Sequence, residues 1–336
     1  MSKTSIDHNE TAEPRRVSLN GPTMGSRWTA VWFDDGLDDP LEIGADLIAA
    51  VGAVDNQMST WKPGSDLMRL NRAGTGSWIE VPANLATVLD VSLRIGRASG
   101  GAFNIGVGRA VAEWGFGSHA GRPGDLAGTP ATLSMDLLDV DALRSRVLKH
   151  GPMSLDLSGI AKGFGVDELA RVLDEAGIAS YLVGIDGEMR ARGEKPDGSP
   201  WSVALERPDP AVRAIHGVVT LSDCAVATSG DYRHWREDET GRISHTVDPR
   251  TGQPVCSRLA SVTVLAPSAM AADAAATALM VMGEDEGLAY AERQGLEALM
   301  IVRTETGELA EHGTGRFAPE AAPSTGIHAR QASLEA

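Results

Sequence analysis

The two residues best suited to chemistry are Asp273 and Thr277, which stand four apart in the alanine- and methionine-rich run 268–283. Side chains four apart on a helix lie on one face, one turn from each other. A hard cation such as Mg²⁺ accepts a carboxylate and a hydroxyl as ligands, beside water and phosphate oxygens. The alternative is that Thr277 bonds back to its own helix while Asp273 stands at the helix edge in water.

A second candidate is the stretch 156–165, Asp-Leu-Ser-Gly-Ile-Ala-Lys-Gly-Phe-Gly, in which a strand runs through a glycine-bounded turn into a helix. Free amides at the start of that helix, together with Lys162, would hold a phosphate group. The residue order is neither that of a Walker A loop nor that of a dinucleotide fingerprint. The alternative is an ordinary helix start that is capped by Ser158 and closely packed through its glycines.

A third candidate is His245, which begins the run His-Thr-Val-Asp-Pro-Arg-Thr-Gly at 245–252. A histidine here is suited to act as a base, as a phosphate donor or as an orienting group. The alternative is a packed structural histidine, and Asp248 with the residues that follow is typical of a turn. Ser229 lacks the Gly-x-Ser-x-Gly surroundings of a nucleophile elbow, which argues against a hydrolase triad.

The elements that must position these residues mix helices with antiparallel strands, so we predict an α+β fold. Helices are predicted at 41–58, at 82–99, from the turn at 158–164 to about 176, and from 268 to a stop at Gly283. Residues 28–33, 78–81, 261–265 and 299–303 are predicted strands. We also predict a hairpin of 147–149 with 153–157, and a meander of the four strands 181–185, 189–193, 201–205 and 217–221.

The bulk properties exclude several classes of function. The chain has 336 residues and a net charge of −16, which argues against nucleic acid as a partner. Cys224 and Cys256 lie outside zinc-binding patterns, and no apolar run reaches membrane-spanning length. The residues after Arg15-Arg16 do not form an apolar leader, so we expect a cytoplasmic protein without membrane insertion.

Composition also predicts the domain division. Residues 1–16 are polar and charged, and 317–336 are rich in Ala, Pro, Ser and Gly. We expect both ends to be flexible tails that flank one domain over 17–316.

Taken together, these stretches resemble the ApbE family of FAD:protein FMN transferases. The resemblance covers most of the chain and rests on motifs in a fixed order. They are Thr-Met-Gly-Ser at 23–26, Met-Ser-Thr-Trp at 58–61 with Leu-Asn at 70–71, Gly-Ala-Phe-Asn at 101–104, Asp-Leu-Ser-Gly-Ile-Ala-Lys-Gly at 156–163, Gly-Glu at 187–188, Ser-Gly at 229–230, the run at 245–252, and Ala-Asp-Ala-Ala-Ala-Thr-Ala at 272–278.

The resemblance implies a T-fold-like core of antiparallel sheets packed with helices, with the active site in a cleft between its two parts. It implies FAD as substrate, Mg²⁺ as metal, and transfer of FMN onto a Ser or Thr hydroxyl in a short motif of a flavin-accepting redox protein, with release of AMP. Two alternatives stay open: an FAD-binding protein without transfer, and a metal-dependent FAD pyrophosphatase that yields FMN and AMP.

The resemblance also implies roles for individual residues. Metal ligands would be Asp273, Thr277 and the backbone carbonyl of Ala161, and the catalytic residues would be His245, Asp273 and Lys162. The residues near the flavin or nucleotide would be Met24, Trp61, Phe103, Asn104, Ser158, Gly159, Lys162, Glu188, Ser229 and His245. Three positions depart from the family pattern: Trp61 replaces a usual Tyr, Asn104 a frequent Asp and Asp186 a usual Gly.

Overall fold

The computed structural model describes residues 14–34, 39–117, 130–131, 133–233, 235–238 and 241–319. The first half of the chain forms β1 (Arg15–Thr23), β2 (Ser26–Asp34), α1 (Pro40–Met58), α2 (Asp66–Arg72), β3 (Trp78–Glu80), α3 (Ala83–Ala98), α4 (Gly108–Glu113), α5 (Ser134–Leu137), β4 (Leu138–Asp141), β5 (Arg146–Lys149) and α6 (Ala161–Glu175).

The second half contributes most of the strands. In chain order it forms β6 (Tyr181–Ile185), β7 (Glu188–Arg192), β8 (Trp201–Glu206), β9 (Ile215–Leu221), β10 (Ala225–Gly230), β11 (Trp235–Asp238), β12 (Gly241–Ser244), β13 (Val247–Asp248), β14 (Gln253–Pro254), β15 (Leu259–Ala266), α7 (Ala269–Gln294), β16 (Glu297–Arg303) and β17 (Leu309–Gly313). Short 3₁₀ helices occur at Ala142–Arg144 and Gly315–Phe317.

An eight-stranded antiparallel sheet in the order β1-β2-β6-β7-β10-β15-β16-β17 organises the larger part of the molecule. Successive side chains of a strand point to opposite faces, and here both faces are covered. Val262 and Val264 of β15 pack with α7, whereas Leu265 packs with the two-stranded β8–β9 ladder on the other face. The helices and the ladder therefore form the outer layers of this part, which we call the sheet part.

A second core lies over α2, α3 and the three-stranded sheet β3-β5-β4, which we call the small part. Leu70, Leu89 and Val147 are fully buried there. Helix α7 enters this core through Ala274 and Ala278, while its Leu279 packs in the core of the sheet part. One helix thus packs into both cores. Its small side chains make this possible because they let the two parts approach the helix closely.

Several predicted elements are confirmed. The predicted helices at 41–58 and 82–99 match α1 and α3, and Ser65 caps α2, with its Oγ accepting the Met68 N–H at 3.1 Å. Gly283 interrupts α7 with φ 79° and ψ −171°, as a helix stop would, but helical residues resume after it and continue to Gln294. The glycine therefore breaks the helix without ending it.

The predicted hairpin and meander are corrected. Strand β5 pairs with β3 and β4, and among residues 153–157 Ser154 makes an isolated bridge to Val107 instead. Strands β6 and β7 pair as expected, but β7 next pairs with β10, while β8 and β9 form a ladder of their own. Alternating burial along β8 marks a strand with one core-facing side, and that pattern carries no information about its partner.

Part of the predicted domain division lies beyond the described residues. Residues 1–13 and 320–336 lie outside them, and β1 begins at Arg15, two residues inside the predicted tail. The division into one domain with two flexible tails stays a prediction. In the part of the chain that the structure describes, none of the helices combines the length and the apolar character that a bilayer crossing requires.

Candidate active site

A cavity of about 860 Å³ is lined by residues of both parts, and we call it the main cavity. This volume lies within the range of small-molecule sites, about 300–1,000 Å³. Twelve of the thirteen predicted site residues line it: Met24, Trp61, Phe103, Asn104, Ser158, Gly159, Lys162, Glu188, Ser229, His245, Asp273 and Thr277. Ala161 is the exception; it is the first residue of α6, directly before Lys162.

The starts of α6 and α7 touch at the wall of the main cavity. Gly163 in the first turn of α6 donates its N–H to Asp273 Oδ2 at 3.0 Å. A Cβ at position 163 would lie 2.3 Å from the Ala269 carbonyl oxygen and 2.8 Å from Asp273 Cβ. Only glycine allows the two helices to approach this closely, and this approach brings the Asp273 carboxylate to the backbone of α6.

Asp273 is buried, with 4% of its surface exposed. Burial raises the pKa of its carboxyl to about 7, and the negative charge of Glu188 acts in the same direction, while Lys162 and the Gly163 N–H oppose the shift. The alternative of an aspartate at the helix edge in water is therefore wrong. Thr277 lies one turn further on, with its Oγ1 3.4 Å from Ser229 Oγ of β10.

The ammonium group of Lys162 lies beside two carboxylates in the lining of the main cavity. Its Nζ lies 2.7 Å from Glu188 Oε1 and 3.8 Å from Asp186 Oδ2. Burial opposes the charged form of Lys162, but Glu188, Asp273 and Asp186 outweigh it and raise its pKa above the ordinary value. Lys162 therefore stays an ammonium ion that is paired with Glu188.

Glu188 is the most constrained of these carboxylates. Its side chain is 3% exposed, and burial raises its pKa, against the opposing effect of Lys162. Oxygen Oε2 is buried and has no hydrogen-bond partner among the described residues. A buried carboxylate oxygen without a partner is costly, so a donor or cation supplied by a ligand would stabilise it.

The turn between β6 and β7 places Glu188, and it explains one departure from the family pattern. Asp186 adopts φ 56°, in the left-handed region. Glycine adopts this conformation freely, and aspartate is among the few other residues that tolerate it.

Met24 at the cavity wall also has a positive φ, 45°, followed by Gly25 at 71° in the two-residue β1–β2 turn. A methionine in this conformation is strained, and such strain is concentrated at functional sites.

Asn104 has a structural role in the cavity wall. Its Oδ1 accepts the Gly106 N–H at 2.9 Å, the Ser134 N–H at 3.1 Å and the Ser134 hydroxyl at 2.8 Å. An amide oxygen satisfies these three donors without a net charge, which is why an asparagine fits this buried position. The side chain joins the 104–106 loop to the start of α5.

The remaining predicted residues differ in exposure. Trp61 is 67% exposed, whereas Phe103 is 3% exposed and belongs to the core of the small part. His245 follows β12 and is partly exposed in the cavity lining. An indole at the rim offers a face on which a planar ring can stack.

Sequence reasoning missed other residues of the cavity wall. Asp156 is buried there, and its Oδ1 accepts the Ser158 N–H at 2.7 Å. Tyr232 donates to Glu206 Oε2 at 3.2 Å, and Arg233 forms an ion pair with the same carboxylate. Asp156 belongs to the stretch 156–165 that was already singled out, and Tyr232 and Arg233 follow the Ser-Gly motif at 229–230, but Glu206 on β8 carried no signal.

The donor set at the start of α7 fits a hard divalent cation. The described residues contain no group of three or more His, Cys, Asp or Glu side chains placed to hold a metal. Asp273 would supply one carboxylate and Thr277 a hydroxyl, and the predicted third donor is the backbone carbonyl of Ala161, which has a second lone pair. Such a partial oxygen set suits Mg²⁺, which keeps several waters and takes the rest of its ligands from phosphate.

The ion pair between Lys162 and Glu188 is open to a direct test. Lys162→Gln is expected to lower the free energy of unfolding by roughly 1–3 kcal/mol, since it leaves Glu188 buried without its counter-charge at a partly exposed site. The double variant Lys162→Gln/Glu188→Gln should recover most of that loss. Urea unfolding of both single variants and the double variant measures the coupling. If the changes in unfolding free energy of the two single variants simply add up in the double variant, the coupling between Lys162 and Glu188 is contradicted.

The chain is similar to known proteins over most of its length. The model of the ApbE family matches residues 24–300. The FAD:protein FMN transferase of Vibrio cholerae is 38% identical over 312 residues, covering 90% of this chain and 92% of that protein. The FAD:protein FMN transferase of Haemophilus influenzae is 36% identical over 307 residues, covering 88% and 89%. The apo crystal structure of the flavinyl transferase ApbE of Pseudomonas stutzeri superposes with a TM-score of 0.82 at 34% identity, covering 92% of this chain and 97% of that one.

Proposed function

Because the chain belongs to the ApbE family, we propose that it transfers FMN from FAD to a Ser or Thr hydroxyl of a flavoprotein, with Mg²⁺ as the metal. The new bond joins the hydroxyl oxygen to the FMN phosphorus, the pyrophosphate bond to AMP breaks, and the hydroxyl proton passes to a base. The acceptor is a flavin-accepting redox protein, which we expect to be cytoplasmic or to present its acceptor segment to the cytoplasm.

One observation carries this proposal: a buried aspartate and a threonine, one turn apart on α7, line a cavity of dinucleotide-binding size beside the start of α6. Asp273, Thr277 and the Ala161 carbonyl would hold Mg²⁺, which neutralises charge on the pyrophosphate when bound. Lys162 stays charged, so it adds a fixed positive charge next to that site. Trp61 at the rim would stack on a ring of the nucleotide.

The acceptor hydroxyl must lose its proton as it attacks the phosphorus. His245 is the candidate to take this proton or to orient the transferred phosphate, because it lines the same cavity as Asp273 and Lys162. A general base near neutral pH is the role for which an imidazole is best suited.

The test is flavinylation in solution. The protein is incubated with FAD, Mg²⁺ and a candidate acceptor that was produced without covalent flavin, and flavin fluorescence is followed on a denaturing gel. A fluorescent acceptor band that requires Mg²⁺ supports the proposal. Intact FAD with every acceptor would overturn it in favour of an FAD-binding protein. FMN and AMP released without an acceptor would identify a pyrophosphatase.

Substitution of His245 separates chemistry from binding. His245→Ala is expected to slow transfer by about 100-fold, the usual effect of losing a general base, while the Kd for FAD stays near that of the wild type. The matched control is His150→Ala, because His150 is 46% exposed, lies 2.7 Å from Asp139 and is absent from the cavity lining. Loss of FAD binding in His245→Ala would instead make His245 a binding or structural residue.

A further inference from the structure

Reciprocal hydrogen bonds join the starts of α6 and α7: backbone N–H groups of each helix donate to an aspartate side chain of the other. Gly163 of α6 donates its N–H to Asp273 of α7 at 3.0 Å. In return, Ala269 and Met270 of α7 donate their N–H groups to Asp167 of α6 at 3.0 and 2.9 Å. The first amides of a helix have no partner within it, so each helix satisfies the other's amides with a carboxylate one turn further on.

Asp167 also ties α6 to the sheet. Arg190 of β7 donates to Asp167 Oδ1 at 2.7 Å. Two ion pairs of opposite polarity therefore join the same helix to the same strand: Lys162 with Glu188, and Asp167 with Arg190. Sliding α6 by one turn, about 5.4 Å, would bring like charges together, so the two pairs fix the helix in one register on β7.

We infer that Asp167 is a positioning residue for the candidate metal site. It does not line the main cavity, so it acts through α7, which carries Asp273 and Thr277. Its carboxylate holds the start of α7 against α6 and β7, and so places those two ligands opposite Lys162 and Glu188. The inference rests on the proposed function in one respect, namely that Asp273 and Thr277 hold Mg²⁺.

The size of the effect follows from the demands of the ion. Mg²⁺ requires near-ideal octahedral geometry, so a small shift of α7 weakens binding even when both ligands are present. Loss of a group that orients a metal ligand typically costs about 10–100-fold in metal affinity.

Ser268 provides a matched control on the same helix start. Its Oγ accepts the Ala271 N–H at 3.2 Å, a cap that stays within the first turn of α7. Ser268→Ala therefore weakens the start of α7 without cutting its connection to α6 and β7. A merely stabilising role of Asp167 predicts that both substitutions act alike.

The experiment compares Asp167→Ala, Asp167→Asn and Ser268→Ala with the wild type. Calorimetry measures the affinity of the FAD complex for Mg²⁺, and amide hydrogen exchange at Gly163 is measured without metal. We expect Asp167→Ala to weaken Mg²⁺ binding about 10-fold or more and to speed exchange at Gly163. Asp167→Asn keeps one acceptor oxygen and should fall between, whereas Ser268→Ala should stay within about 2-fold of the wild type in both measurements.

Equal effects of Asp167→Ala and Ser268→Ala on both measurements would overturn the inference, as would wild-type values in Asp167→Ala. If Asp167→Ala does not fold, the same two measurements are compared between Asp167→Asn and Ser268→Ala, and equal effects overturn the inference. Exchange at Gly163 needs no ligand, so it tests the connection even if the wild type binds no Mg²⁺. A wild-type protein that binds no Mg²⁺ would contradict the proposed function rather than the connection that Asp167 makes between α6 and α7.

Discussion

Asp273→Asn should lower the rate of FMN transfer at least about 100-fold at saturating Mg²⁺ while the fold stays intact. Asparagine has the shape of aspartate, and its carbonyl oxygen still accepts the Gly163 N–H that Asp273 Oδ2 accepts at 3.0 Å. It lacks the negative charge that a hard cation requires of its one carboxylate ligand. The measurement is the initial rate of flavinylation across a Mg²⁺ titration.

Thermal unfolding of the metal-free protein is the control for Asp273→Asn. Burial raises the pKa of Asp273 to about 7, so ionisation of this carboxyl opposes folding. A carboxyl whose folded pKa lies above its unfolded value of about 3.9 costs stability that grows as pH rises between the two values and then levels off. At pH 8 in EDTA the variant should therefore melt at or above the wild-type temperature. Wild-type rates at limiting Mg²⁺ would show that Asp273 is not a metal ligand.

Gly163→Ala should both destabilise the protein and impair transfer. The added Cβ would lie 2.3 Å from the Ala269 carbonyl oxygen, so α6 and α7 must move apart. Overpacking of this kind costs about 1–3 kcal/mol of unfolding free energy. Because the displaced helix carries Asp273, the transfer rate should fall by about 100-fold, the typical consequence of a 1 Å misplacement. Urea unfolding and the flavinylation rate measure the two effects.

Gly52→Ala is the matched substitution for Gly163→Ala. Gly52 lies within α1, and a Cβ there would meet nothing within 4 Å. Alanine is the better helix former, so this variant should be up to about 1 kcal/mol more stable with unchanged activity. A Gly163→Ala protein as stable and as active as Gly52→Ala would show that the close approach of α6 and α7 is not required.

The sequence was most informative where the structure depends on neighbours in the chain. Asp273 and Thr277 were recognised because helix periodicity is local, and the helix start at Ser268 because capping depends on the residues that follow. The family motifs identified twelve residues of the cavity lining, including Trp61 and Glu188, which lie far apart in sequence.

What the sequence could not provide are contacts between distant segments. The Gly163–Asp273 hydrogen bond spans 110 residues, and the Lys162–Glu188 pair spans 26. The types of these residues do not indicate their partners. The sequence therefore assigned Lys162 to a phosphate and did not reveal its ion pair with Glu188. The predicted pairing of β7 with β8 was wrong for the same reason, since alternating burial marks a buried face and does not identify the neighbouring strand. The pairing of β8 with β9 is as predicted.

Helix α7 limits how the molecule can move. Because Ala274 and Ala278 belong to the core of the small part and Leu279 to that of the sheet part, the parts cannot rotate apart as rigid bodies without unpacking this helix. A hinge motion between the small part and the sheet part therefore cannot open and close the main cavity. In the proposed reaction a dinucleotide would enter and AMP would leave past the rim, where Trp61 is 67% exposed. Side-chain and loop motions there, rather than a hinge, would set the rate of product release.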